Sequence, residues 1–99
     1  MTNWKRALRT PHSERFLAFR DGKEVAAVEL HYLPNGSANG TVIILRSSGL
    51  TEADVQGLLT SLDEDFLPDV DLAQGTLAYT VVIGEVLGSY EATSNRPTN

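Results

Sequence analysis

The chain has 99 residues, no cysteine and a formal charge of −5. At that length one domain is expected, with a core of its own, since a folded chain of this size buries about 65% of its unfolded surface. The missing cysteines exclude disulfides, thiolate metal sites, iron–sulfur clusters and thiol catalysis.

The net charge conceals an asymmetry. Residues 1–50 carry seven cations and four anions, and residues 51–99 carry one cation, Arg96, and nine anions. The halves are therefore +3 and −8. Such a split marks either an interaction surface or two regions of one fold that neutralise each other. The first twenty residues hold Lys5, Arg6, Arg9, Arg15 and Arg20 without an apolar run. No secretory signal and no membrane span are expected, and the cytoplasm is the expected compartment.

In chain order, residues 3–10 are expected to form a short helix. Asn3 caps it, Pro11 stops it, and Trp4, Ala7 and Leu8 share one face. Asp21-Gly22 then reads as a two-residue hairpin turn within residues 15–33. The register this sets pairs Arg20 with Lys23, Phe19 with Glu24, Ala18 with Val25 and Leu17 with Ala26. A core face follows, made of Leu17, Phe19, Ala26, Val28, Leu30 and Tyr32. A loop spans 34–40. A third strand at 41–46 has four consecutive apolar residues and is expected to be central and covered on both faces.

The helix expected at 52–67 carries the clearest local signals. Thr51 and Asp54 form a capping box, Leu50 and Val55 a hydrophobic staple. Val55, Leu58, Leu59, Leu62 and Phe66 make the apolar stripe, and Pro68 ends the helix. An acidic loop covers 68–75. A long strand is expected at 76–90, apolar on both faces as far as Ile83, with Gly84 and Gly88 as places for a bend. Residues 1–91 make one α+β domain, and residues 92–99 a disordered polar tail. The expected fold is a two-layer sheet-plus-helix domain of order short α-β-β-β-α-β. Its four-stranded, mostly antiparallel sheet carries the 52–67 helix on one face. A helix, three antiparallel strands and a second helix is also the order of double-stranded-RNA-binding domains. Their second helix opens with basic residues, where this chain reads Thr51-Glu52-Ala53-Asp54, so that family is not assigned.

Four groups of residues bear on function. Asp63, Glu64, Asp65, Asp69 and Asp71 place five carboxylates in nine residues, three of them at the helix C-terminus, where the macrodipole disfavours negative charge. Their spacing is not that of a calcium loop, and the run fits a basic protein partner or a solvated loop. Residues 1–23 carry six cations against Glu14 and Asp21. With Trp4, Arg6 and Arg9 this segment is a candidate contact surface, and nucleic acid is the disfavoured version of that reading. Glu29 and His31 share a strand face and are the polar pair of a ligand-binding or catalytic alternative. The fourth group is the over-long apolar last strand and the second sheet face. Either the N-terminal helix covers them, or a second copy of the chain does. The reading preferred from sequence is a non-catalytic protein–protein interaction or regulatory module. It is a homodimer through the second sheet face or the last strand, with no cofactor, no metal and no membrane.

Overall fold

The structure is a computed structural model that describes residues 2–66 and 77–92. The expected acidic loop with Asp69 and Asp71, and residues 93–99 of the expected tail, lie outside the described residues. The α+β class holds, and the sheet has five strands in sequence order: β1 (Asn3–Thr10), β2 (Ser13–Arg20), β3 (Lys23–Tyr32), β4 (Ala38–Leu45) and β5 (Leu77–Gly84). The first four form an antiparallel meander, and β5 lies parallel to β4. Between them a 3-10 turn (Glu52–Asp54) leads into the helix α1 (Val55–Phe66).

The first correction concerns residues 3–10, which form a strand and not a helix. Two helical turns are marginal on their own. The same residues laid beside β2 make a paired ladder from Asn3↔Phe19 to Thr10↔Ser13. Trp4 then faces α1, where its indole N–H donates to Ser61 Oγ at 3.0 Å. The sheet gains a fifth strand, and the N-terminal segment cannot cover the second face, because it is part of that face.

The second correction is one of register. The turn is as expected: Asp21 and Gly22 both have positive φ, 52° and 76°, and Arg20↔Lys23 and Phe19↔Glu24 are paired. Val25 is then bulged out, so Ala18 meets Ala26 and Phe16 meets Val28. The face read on β3 is right and the face read on β2 is reversed. Phe16 and Ala18 are fully buried, whereas Leu17 and Phe19 are half-buried on the opposite side. Charge explains the choice. One frame of β2 buries Arg15, the other Glu14. Glu14 has three partners on the inner side, and Arg15 on the outer side pairs with Glu29 at 3.6 Å.

The core lies between α1 and the inner face of the sheet. Val55, Leu58 and Leu62 of the helix are buried against Phe16, Ala18, Val28, Leu30, Val42 and Ile44. The Asp54 carboxylate accepts the Thr51 backbone N–H at 2.8 Å, as the capping box requires. β4 is an interior strand, and among the described residues an element covers only one of its faces, with Ile43 and Leu45 half-buried on the other. Gly57 faces solvent with nothing near its missing side chain, so it serves no close approach of helix to sheet. The last strand ends at Gly84, opposite Leu45, and residues 85–92 have no ladder partner among the described residues. No helix among the described residues is long and apolar enough to cross a membrane.

Candidate functional site

Two places concentrate unusual chemistry, and they sit at the two edges of the sheet. At the β1 edge the ladder slips between Arg6 and Leu8, with Ala7 as the extra residue. Without that bulge Arg6 and Arg9 would point to opposite faces; with it, both reach the inner face. There Arg6 Nε lies 3.1 Å and Arg9 Nε 3.6 Å from Glu14 Oε1. Tyr32 donates its hydroxyl proton to Glu14 Oε2 at 2.6 Å. Glu14 is only 6% exposed, and its Oε1 has no aligned hydrogen bond, so the arginine contacts are ion pairs by charge and distance. Arg6 also lies over the Phe16 ring, 5.5 Å from its centre. Burial pushes the Tyr32 hydroxyl pKa up, and the hydrogen bond to Glu14 and its charge push it further. An open cleft of about 430 Å³ runs beside the cluster, lined by Arg9, Thr10, Pro11, Glu14 and Tyr32.

The cluster is best described as a clamp. It ties three strands together, since Arg6 and Arg9 come from β1, Glu14 from β2 and Tyr32 from β3. Trp4 makes a separate tie, from β1 to α1, through its hydrogen bond to Ser61. These three residues of the basic segment are thus gathered on the inner side, where Trp4 packs in the core.

At the β5 edge there are no charges. The strand reads Leu-Ala-Tyr-Thr-Val-Val-Ile-Gly, and among the described residues no strand lies beyond it. Among the described residues, the large hydrophobics that remain exposed are Leu8, Leu33, Tyr79, Val82, Ile83, Val86, Leu87 and Tyr90. Six of these eight fall within residues 79–90, and Leu87 and Tyr90 are 90% and 87% exposed. Arg46 pairs with Glu85, the first residue past the ladder, at 3.3 Å.

The outer face of the sheet has no helix over it among the described residues. One row across it reads Lys5, Leu17, Ala27, Ile43 and Val82, and the next reads Leu8, Arg15, Glu29, Thr41 and Thr80. The face is half apolar and half polar. Glu29 and His31 stand on it together, but Glu29 is engaged by Arg15, and His31 is exposed beside Ser13 and Asn39.

Of the acidic run, Asp63, Glu64 and Asp65 occupy the last turn of α1. Glu64 and Asp65 are exposed. Asp63 lines a groove of about 260 Å³ with Gln56, Leu59, Thr60, Leu77 and Tyr79, and its Oδ1 is buried without a hydrogen-bond partner. Among the described residues no group of three or more His, Asp or Glu side chains is placed to hold a metal ion. The sequence reading missed Glu14 and Tyr32. The signal for Glu14 was a lone acid between Arg9 and Arg15 in a basic segment.

The chain matches no protein-family model, no curated protein and no solved structure.

Proposed function

We propose that the protein is a small non-catalytic interaction module of the cytoplasm that works as a homodimer through its last strand and the residues following it. The observation that carries this is that, among the described residues, six of the eight exposed large hydrophobics lie within residues 79–90. Apolar surface scattered singly is ordinary; apolar surface gathered along an edge strand that carries no charge of its own is a pairing site or an aggregation hazard. An acidic chain of charge −5 gains solubility elsewhere, which leaves this strip for a partner. A second copy is the partner proposed, since two-fold dimers are the commonest oligomers. The exposed acids Glu64 and Asp65 are a separate polar surface suited to a basic protein.

Sedimentation equilibrium from low micromolar to near-millimolar concentration tests this reading. The expected result is a reversible monomer–dimer equilibrium whose dissociation constant is insensitive to salt, because the strip is apolar. A monomer at every concentration overturns it.

A further inference from the structure

We infer that two copies join edge to edge, β5 antiparallel to β5, with Gly84 on the two-fold axis, so that the exposed segment 85–90 of each copy completes its strand on the other. The inference rests on the homodimer reading above and gives it a geometry.

Three observations carry it. First, the sequence beyond Gly84 keeps apolar residues at Val86 and Tyr90 on one strand face and at Leu87 on the other, with Glu85 and Ser89 as the polar residues of the second row. The strand nevertheless stops there because its neighbour does: Leu45 is the last residue of β4, and its partner is Gly84. Residues 85–90 have no ladder neighbour among the described residues. Second, the unpaired side of β5 offers backbone donors and acceptors over Leu77–Gly84 with no charged residue, no proline and no bulge to stop an incoming strand. Third, the outer face is a poorer candidate. Its apolar residues Leu17, Phe19, Ile43 and Leu45 are already half-buried by their neighbours, its exposed Leu8 and Val82 stand at opposite edges of the sheet, and Arg15, Glu29 and Thr41 lie between them.

Symmetry and parity select the register. Residues facing each other across a two-fold normal to the sheet must point to the same side. The register that lays 85–90 wholly on residues 83–78 of the other copy puts Gly84 opposite Gly84. Val86 then meets Val82, and Leu87 meets Val81, both apolar pairs. A shift that puts Glu85 opposite its own copy sets like charges together and is disfavoured. The joined sheet has ten strands, and its two outer faces lie on the same side.

The absence of native cysteine makes the test direct. Gly84 has no atom within 4 Å of a side chain placed there and does not need positive φ, so Gly84→Cys fits the monomer. Mild oxidation of this variant is expected to give a disulfide dimer in high yield, whereas Ile43→Cys on the outer face stays reduced. As a second arm, Val86→Pro removes a backbone donor at a residue that is unpaired in the monomer. It is expected to weaken self-association at least tenfold while leaving the thermal midpoint of dilute protein unchanged. If the wild type sediments as a dimer but Gly84→Cys does not cross-link, or Val86→Pro associates normally, the edge geometry is overturned and the homodimer reading survives. If the wild type never dimerises, both fall.

Discussion

The two edges of the sheet are opposites. β1 carries Lys5, Arg6 and Arg9 in eight residues, is broken by a bulge at Ala7, and is held from beneath by Glu14. β5 carries no charge, keeps unbroken register with β4 over eight residues, and runs into exposed apolar chain. Natural sheets blunt their edges with charges and bulges because a bare edge recruits other chains. One edge of this molecule has both devices and the other has neither. The same chain thus shows that it can be guarded, and the unguarded edge stands out as the place where pairing is accommodated.

Removing the clamp at β1 has the largest expected effect. Glu14→Ala removes the carboxylate that pairs with Arg6 and Arg9 and accepts the Tyr32 hydroxyl proton. Breaking a fully buried ion pair costs about 3–5 kcal/mol. Arg6 and Arg9 are 34% and 67% exposed, which lowers the expected loss to about 2–3 kcal/mol in urea unfolding. A loss below about 0.5 kcal/mol, typical of a plain surface site, would show that the clamp does not hold β1. Next comes a guard placed on the bare edge. Val82→Lys puts a charge on β5 at a side chain that is 44% exposed, so the monomer keeps its stability to within about 1 kcal/mol. Self-association is expected to weaken by about thirtyfold, or 2 kcal/mol. Unchanged association would mean that β5 is not the contact.

Tyr32→Phe acts on the clamp more gently. It removes one hydrogen bond to a charged group, at a cost of about 1.5 kcal/mol at neutral pH. The pH dependence has a definite sign. The Tyr32 pKa is raised in the folded chain, so above about pH 10 the unfolded chain releases a proton that the folded chain retains. Stability is full below that pH and falls as the pH rises past it. The phenylalanine variant should flatten this alkaline limb relative to the wild type, as followed by the unfolding midpoint in urea. A limb of equal slope in both proteins would assign the loss to other groups.

Much of this architecture is legible in the sequence, and the failures have specific causes. The Asp21-Gly22 turn, the Thr51–Asp54 cap and the Val55, Leu58, Leu62 stripe follow from local chemistry, and the structure has all three. The helix between β4 and β5 returns the chain so that β5 lies parallel to β4, an arrangement that the expected mostly antiparallel sheet leaves open. The two bulges were not legible. Skipping Val25 reverses the inward face of β2, and skipping Ala7 gathers Arg6 and Arg9 onto Glu14. A bulge is decided by which charge finds partners in the assembled sheet, and no window of local sequence contains Glu14, Tyr32 and Arg6 together. Residues 3–10 were misread for a related reason. Trp4, Ala7 and Leu8 fit a helix face, but the open edge of β2 rewards a strand. The end of the last strand was misplaced because the sequence reports strand character, whereas the ladder stops where β4 stops.

The smallest expected effect comes from taking one guard away. Lys5 stands on the outer face, exposed, at the apolar end of the row that runs through Leu17, Ala27, Ile43 and Val82. Lys5→Val extends that row by one apolar residue and removes one of three cations from the β1 edge. If charge alone protected β1, this variant would acquire a second association and form species larger than a dimer. The bulge at Ala7 predicts otherwise, because it breaks the regular spacing of backbone groups and increases the local twist. Arg6 and Arg9 also stay fixed by Glu14. Stability should change by no more than about 0.5 kcal/mol, and light scattering should show the wild-type mass. Growth into larger species would transfer the protection of β1 from its geometry to its charge. The contrast between the edges would then rest on a few lysine and arginine side chains, and not on the path of the backbone.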